Sequence, residues 1–169
     1  MSSNSDQELV CGLNTVNQII ISRPKSIQCL YIGEILNTRI ESIVEEAKKN
    51  KINISKRDQE FFEKEFEDIN HQSIAVSCNK RLEESEAFIQ SVIKRPNLTF
   101  LILDGLSDPH NVGACLRSAA AADVDAVIVP KNRSCHLTPT VRKISCGASE
   151  LIPFVIVTNI VRTINNLQE

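Results

Sequence analysis

The stretch Leu101–Pro130, LILDGLSDPHNVGACLRSAAAADVDAVIVP, decides the fold. An apolar run from Leu98 to Leu103, interrupted only by Thr99, stops at Asp104-Gly105. A strand buried on both faces reads this way, and Asp-Gly is a turn signal. From Asn111 to Ala122 the chain is rich in Ala, and Val112, Leu116 and Ala120 recur at fourfold spacing, which predicts a helix. Ala126–Val129 is a second strand, ended by Pro130. Strand, helix, strand in this compass is a βαβ unit, which calls for a parallel sheet and a right-handed crossover. Ligands meet such sheets at the carboxyl ends of the strands. Here that end is Asp104 to Asn111, with Arg117 on the helix that follows.

Outward from this unit, the composition bounds the possibilities. The 169 residues, 42% hydrophobic and 24% charged, suit one α/β domain or two small ones. A net charge of −2 excludes a globally basic nucleic-acid binder, so any RNA contact must come from a local patch. No apolar stretch approaches 18 residues, and Met1–Glu8 is polar and acidic, unlike a signal peptide, so a cytoplasmic protein is expected. The six cysteines, at 11, 29, 78, 115, 135 and 146, form no Cys-x-x-Cys pair. Neither a metal site nor a disulfide framework is expected from them, and they read as small core residues. With no Trp and Tyr31 as the single Tyr, stacking on bases has little to draw on.

The remaining pattern gives two domains. Met1–Glu8 reads as a disordered tail. Helices at Gly12–Ile21, Asn37–Lys51 and Asp58–Phe66 alternate with strands at Ile27–Ile32, Ile52–Ile54 and Ile74–Cys78. This is a small α/β domain over residues 9–78, with Asp58 as a helix N-cap and His71 as a hydrogen-bonded residue at a strand edge. Residues 79–96 are charged, helical around Glu83–Ile93, and read as a linker; the acids at Glu63–Asp68 and Glu83–Glu86 read as solvated helix faces. The second domain, residues 97–169, continues through a loop at Lys131–Leu137. A helix follows from Thr138-Pro139 to Gly147, then a strand at Phe154–Val157 and a helix at Asn159–Leu167.

The residues also carry a resemblance. DGLSDPHNVGACLRSAAAADVDAVIVPKNRS and TPTVRKISCGASELIPFVIVTNI resemble the SpoU/TrmH-type RNA 2′-O-ribose methyltransferases, and within them the subgroup acting on guanosine of bacterial 23S rRNA. The Asn-x-Gly-x-x-x-Arg signature falls on Asn111, Gly113 and Arg117; CGLNTVNQII and HQSIAV resemble that subgroup's N-terminal pieces. The resemblance implies a small ribosomal-protein-like RNA-binding domain. Behind it would come the first half of a SPOUT-type, trefoil-knotted parallel-sheet domain. It further implies methyl transfer from S-adenosylmethionine to rRNA, with a homodimer as the family's assembly.

By the same resemblance Arg117 acts on the ribose hydroxyl. Asn111 caps the helix and contacts the ribose or orients Arg117, and Gly113 lets a nucleotide backbone approach. An Arg is a poor proton acceptor, so phosphate fixing and oxyanion stabilisation suit Arg117 better than a base role. Lys131, Arg133, Arg142 and Lys143 are candidates for a basic rim on RNA phosphate, against a reading of scattered solvated charges. Glu150 reads as a structural or positioning carboxylate. The family's second and third motifs, which form the knot around the cofactor, follow the third helix and do not occur through Glu169. Most of the cofactor pocket is therefore expected to be absent, with the strand at Phe154–Val157 lacking a neighbour, the edge of Leu98–Leu103 open, and self-association following. A non-catalytic RNA-binding relative is the alternative. A Rossmann-like enzyme is disfavoured because no Gly-x-Gly-x-x-Gly follows a strand.

Overall fold

The computed structural model describes residues 6–34, 37–67 and 69–168. The chain divides into two units, Met1–Arg81 and Leu82–Glu169.

The first unit runs β1 (Gln7–Cys11), α1 (Leu13–Ser22), β2 (Ile27–Ile32), α2 (Thr38–Lys49), β3 (Ile54–Lys56), α3 (Gln59–Glu65) and β4 (Ile74–Asn79). Its sheet order is β1-β4-β2-β3, with β4 antiparallel to β1 and β2, and β3 parallel to β2. One sheet face packs Val10, Leu30 and Val76 against Val16, Ile19, Ile20, Ile40 and Ile43 of α1 and α2. On the other face Phe62 and Phe66, at fourfold spacing, cover Cys11 and Ala75. Both amphipathic helices with polar starts are capped as their sequences ask. Asn37 accepts from the amides of Arg39 and Ile40, and Asp58 from that of Phe61.

The second unit runs β5 (Glu84–Ser85), α4 (Glu86–Val92), β6 (Phe100–Ile102), α5 (Pro109–Ala121), β7 (Ala126–Pro130), α6 (Pro139–Ile144), α7 (Ala148–Leu151), β8 (Phe154–Val157) and α8 (Ile160–Gln168). All pairings are parallel, in the order β5-β8-β7-β6. β7 is buried on both sides: Val127 and Val129 face the layer of α5, Val141 and Ala148, while Ala126 and Ile128 face the layer of Ile89 and Ile160. This three-layer arrangement is why Ala126–Val129 reads as an uninterrupted apolar run.

Several expectations are corrected here. Gln7 and Glu8 are not tail but the start of β1, held at the sheet edge against Cys78 and Asn79; residues 1–5 lie outside the described residues. The segment expected as a linker contains β5 and α4, and Ile89 of α4 is buried against Val155 and Val157. The third strand of the first unit is Ile54–Lys56 rather than Ile52–Ile54, because its register with Leu30–Ile32 selects those residues. The predicted helix from Thr138 to Gly147 is shorter, α6 ending at Ile144; Gly147 is left-handed at φ 94°, and a further short helix, α7, which was not expected, starts after it. The strand at Phe154–Val157 does not lack neighbours, since it pairs with β7 on one side and β5 on the other. β6 does lie at the sheet edge and is only half-buried.

The first unit closes on itself. The Lys80 amide donates to the Asp6 carbonyl at 2.8 Å, and the Arg81 amide to Glu8 Oε1 at 3.4 Å. Residues 1–81 expressed alone are therefore expected to melt in one cooperative transition. Residues 1–73, which lack the internal strand β4, are expected to stay unfolded. Circular dichroism against temperature reads both, and a non-cooperative melt of residues 1–81 contradicts the closure.

Candidate functional site

The site grows from α5. Asp108, not Asn111, caps this helix: its side chain accepts from the His110 amide at 3.0 Å, and Pro109 opens the first turn. Asn111 lies inside the helix with an exposed side chain. Six residues of helix put Asn111 and Arg117 about 120° apart and about 9 Å along the axis. Asn111 is thus not placed to orient Arg117 directly.

Gly113 faces protein rather than open space. A Cβ built there meets Ile144 Cγ2 at 2.6 Å, Ile144 Cβ at 2.7 Å and the Ser145 amide nitrogen at 3.2 Å. The missing side chain lets the end of α6 approach α5, so the expected approach of a nucleotide backbone is replaced by that of a helix terminus. One turn later Arg117 donates through Nη1 to the Ile144 carbonyl while its side chain remains exposed. A cation at a helix C-terminus suits the helix dipole.

Arg142 is corrected outright. It is 1% exposed, and its Nη1 donates to Glu150 Oε1 at 2.8 Å, both side chains buried. It joins α6 to α7 and cannot belong to a solvent rim. Glu150 is the structural carboxylate expected. Beside this pair Ser145 Oγ donates to the Arg142 carbonyl at 2.8 Å and bonds Ser149 Oγ at 3.0 Å. Breaking such a buried ion pair on one side typically costs about 3–5 kcal/mol, so the pair fastens α6 to α7.

Lys131 and Arg133 are exposed in the loop after β7, with Arg133 at φ 59°, and Lys143 is half-buried on the last turn of α6. The loop is fastened at several points. The Lys131 amide donates to Val157, Ser134 Oγ to the Pro130 carbonyl, and the Cys135 amide to Leu106 at 2.9 Å. Thr138 accepts from the Val141 amide at 3.2 Å and starts α6.

Sequence reasoning missed the main fastening. Glu83 accepts from the Leu137 amide at 2.8 Å through Oε1 and meets His136 Nδ1 at 3.0 Å through Oε2. The other ring nitrogen of His136 lies 3.2 Å from the Lys131 carbonyl. Both ring nitrogens thus face acceptors, which favours the doubly protonated imidazolium. Accordingly the His136 pKa is raised, first by the hydrogen bond to Glu83, against the opposing effect of burial. The Cys135 thiol is also pushed up, by burial and then by the Asp108 carboxylate, so it is no activated nucleophile. Glu86, another acid expected to be solvated, accepts from Arg162 at 2.9 Å and Thr163 at 3.3 Å.

A nucleoside-sized cofactor at the carboxyl edge would need a crevice between the loops leaving β6 and β7. There the Cys135 amide donates to the Leu106 carbonyl at 2.9 Å, and Leu106 and Leu137 are half-buried against the core beside Cys135. What the site offers is an exposed guanidinium pinned at one nitrogen, with cationic side chains on the neighbouring loop.

Comparison with known proteins gives two family matches: RNA 2′-O ribose methyltransferase substrate binding over residues 9–83, and the SpoU rRNA Methylase family over residues 98–169. The 23S rRNA (guanosine-2′-O-)-methyltransferase RlmB of Pseudomonas syringae pv. tomato is 38% identical over 169 residues, covering 98% of this chain and 67% of its own. The RlmB of Coxiella burnetii is 40% identical over 167 residues, covering 95% and 65%. Among solved structures, the SpoU methyltransferase AviRb of Streptomyces viridochromogenes in complex with AdoMet has a TM-score of 0.73 at 14% identity, covering 99% of this chain and 62% of that one. A structure described as an RNA 2′-O ribose methyltransferase has a TM-score of 0.72 at 17% identity, covering 96% and 59%. The chain therefore spans about two thirds of these curated relatives and less of the solved structures.

Two outcomes test this geometry. Gly113→Ala is expected to lower stability by about 1–3 kcal/mol through overpacking, read from the denaturation midpoint; an unchanged midpoint contradicts the α5–α6 contact. His136, whose pKa is raised in the folded state, contributes stability that is fully present below its unfolded value near 6.5 and is lost as pH rises through the folded value. The melting-temperature gap between wild type and Glu83→Ala should therefore be wider at pH 6 than at pH 9. It should not vanish at pH 9, because the Leu137 amide bonds Glu83 at either pH. An equal gap at both contradicts the imidazolium assignment.

Proposed function

Because the chain belongs to the SpoU family of RNA methylases, we propose that it serves 2′-O-ribose methylation of a guanosine in large-subunit rRNA, with S-adenosylmethionine as methyl donor. The observation that carries this reading is Arg117. The family signature places it on α5, and the packing of Gly113 on Ile144 then pins one guanidinium nitrogen and leaves the side chain exposed.

In this reading the remaining N–H donors of Arg117 hold the phosphate beside the target ribose and stabilise the 2′-oxygen as it gains negative charge. A guanidinium with pKa above about 12 does not serve as proton acceptor, so its contribution is electrostatic and positional. Asn111 contacts the same nucleotide from the other flank of α5. Lys131, Arg133 and Lys143 hold flanking phosphates, positioning the strand without reading its sequence. The first unit supplies the wider RNA contact. The donor would bring the electrophilic methyl group. A homodimer and a cytoplasmic location belong to the same reading. No helix among the described residues is long and apolar enough to cross a membrane. A non-catalytic relative is not favoured, since Asn111, Gly113 and Arg117 carry the signature on which the resemblance rests and the curated relatives are named as methyltransferases.

Deleting the gene is expected to remove one 2′-O-methylguanosine from large-subunit rRNA, mapped by ribose-methylation sequencing. Re-expression of the wild type should restore it, and Arg117→Ala should restore less than a hundredth as much at equal protein level. An unchanged methylation map in the deletion strain, or full restoration by the variant, overturns the proposal.

A further inference from the structure

Glu83 is the acid that the reaction as described leaves out. It stands just past the end of the first unit, at the last residue of the substrate-binding family match. Its chain neighbours are rigidly seated: Glu84 and Ser85 pair with Val155 and Ile156, and Glu86 bonds both Arg162 and Thr163. From that fixed base both carboxylate oxygens reach across 53 and 54 residues of sequence to His136 Nδ1 and the Leu137 amide. A solvated surface ion pair has no need of the second contact, and a backbone amide cannot swing away as a side chain does.

The residue after Leu137 is Thr138, the N-cap of α6. α6 has six residues, about 9 Å of rise, and its far end carries the Ile144 carbonyl that takes the Arg117 hydrogen bond. Ile144 also seats against Gly113, and Arg142 ties the helix to Glu150. So short and so tightly fastened a helix transmits a displacement of its first residue to its last. We propose that Glu83 is a positioning residue for the ribose chemistry, fixing the start of α6 and through its end the Arg117 guanidinium. The proposal rests on the reading of Arg117 given above, which nothing in Glu83 itself requires.

The test uses the full chain and two readouts. In 15N-labelled protein, Glu83→Ala is expected to shift the Arg117 Nε–H signal, identified by its loss in Arg117→Lys. In methyl-transfer kinetics on rRNA, Glu83→Ala should lower kcat about tenfold and leave KM for RNA within twofold. Glu83→Gln, which still accepts from the Leu137 amide and donates to a neutral His136 Nδ1, should return most of both. Where circular dichroism shows Glu83→Ala unfolded, His136→Ala removes one of the two contacts and should shift the same signal by less. A folded Glu83→Ala, or the His136→Ala substitute, with the Arg117 signal unmoved overturns the proposal. So does a rate loss matching only the unfolded fraction. The Arg117 signal reports on Glu83 whether or not methyl transfer is observed, so failure of the enzymatic reading and failure of this one are separable.

Discussion

The approach of α5 to the end of α6 is the contact on which the site depends. Any side chain at position 113 would collide with Ile144 and come within 3.2 Å of the Ser145 amide. With glycine there, a backbone carbonyl of α6 comes within reach of the residue one turn further along α5. Residues i and i+4 share a helix face, so Gly113 and Arg117 act on the same neighbour. The glycine sets the spacing and the arginine uses it. Through Arg142 and Glu150 the same helix is tied to α7, and through Thr138 and Leu137 to the loop held by Glu83.

The electrostatics follow the same construction. The chain is net acidic at −2, and three acids around the carboxyl edge are engaged internally, while Asp104 is exposed. Asp108 caps α5, Glu83 holds His136 and Leu137, and Glu150 is buried against Arg142. Lys131 and Arg133 remain exposed on the loop after β7. Internal pairing of these three carboxylates thus removes them from competition with the exposed Lys131, Arg133 and Arg117, as contact with a phosphate backbone would ask.

Much of this was legible in the residues, and the failures have physical reasons. The apolar run Ala126–Val129 announced a strand buried on both faces, and Asp58 and Thr138 announced their helix starts, because these signals are local. β1 was missed because Gln7 and Glu8 lie at a sheet edge, where polar residues are tolerated and the alternation is weak. Sheet order was not legible: that β8 sits between β5 and β7 is a property of pairings distant in sequence. Arg142 read as a rim cation because nothing at i±3 or i±4 reveals its partner; Glu150 is eight residues away on another helix. Glu83 and His136 lie 53 residues apart, and no spacing rule joins them. The signature Asn111, Gly113 and Arg117 pointed to α5, but only the fold shows that Gly113 faces a helix end.

The central claim is that the Arg117 site serves a ribose oxygen. Mass spectrometry of nucleosides from large-subunit rRNA, treated with this protein and S-adenosylmethionine bearing a CD3 group, measures it most directly. The account predicts the label in 2′-O-methylguanosine, in amounts that fall to background with Arg117→Ala. Label found on a base, or 2′-O-label undiminished in the variant, would contradict it.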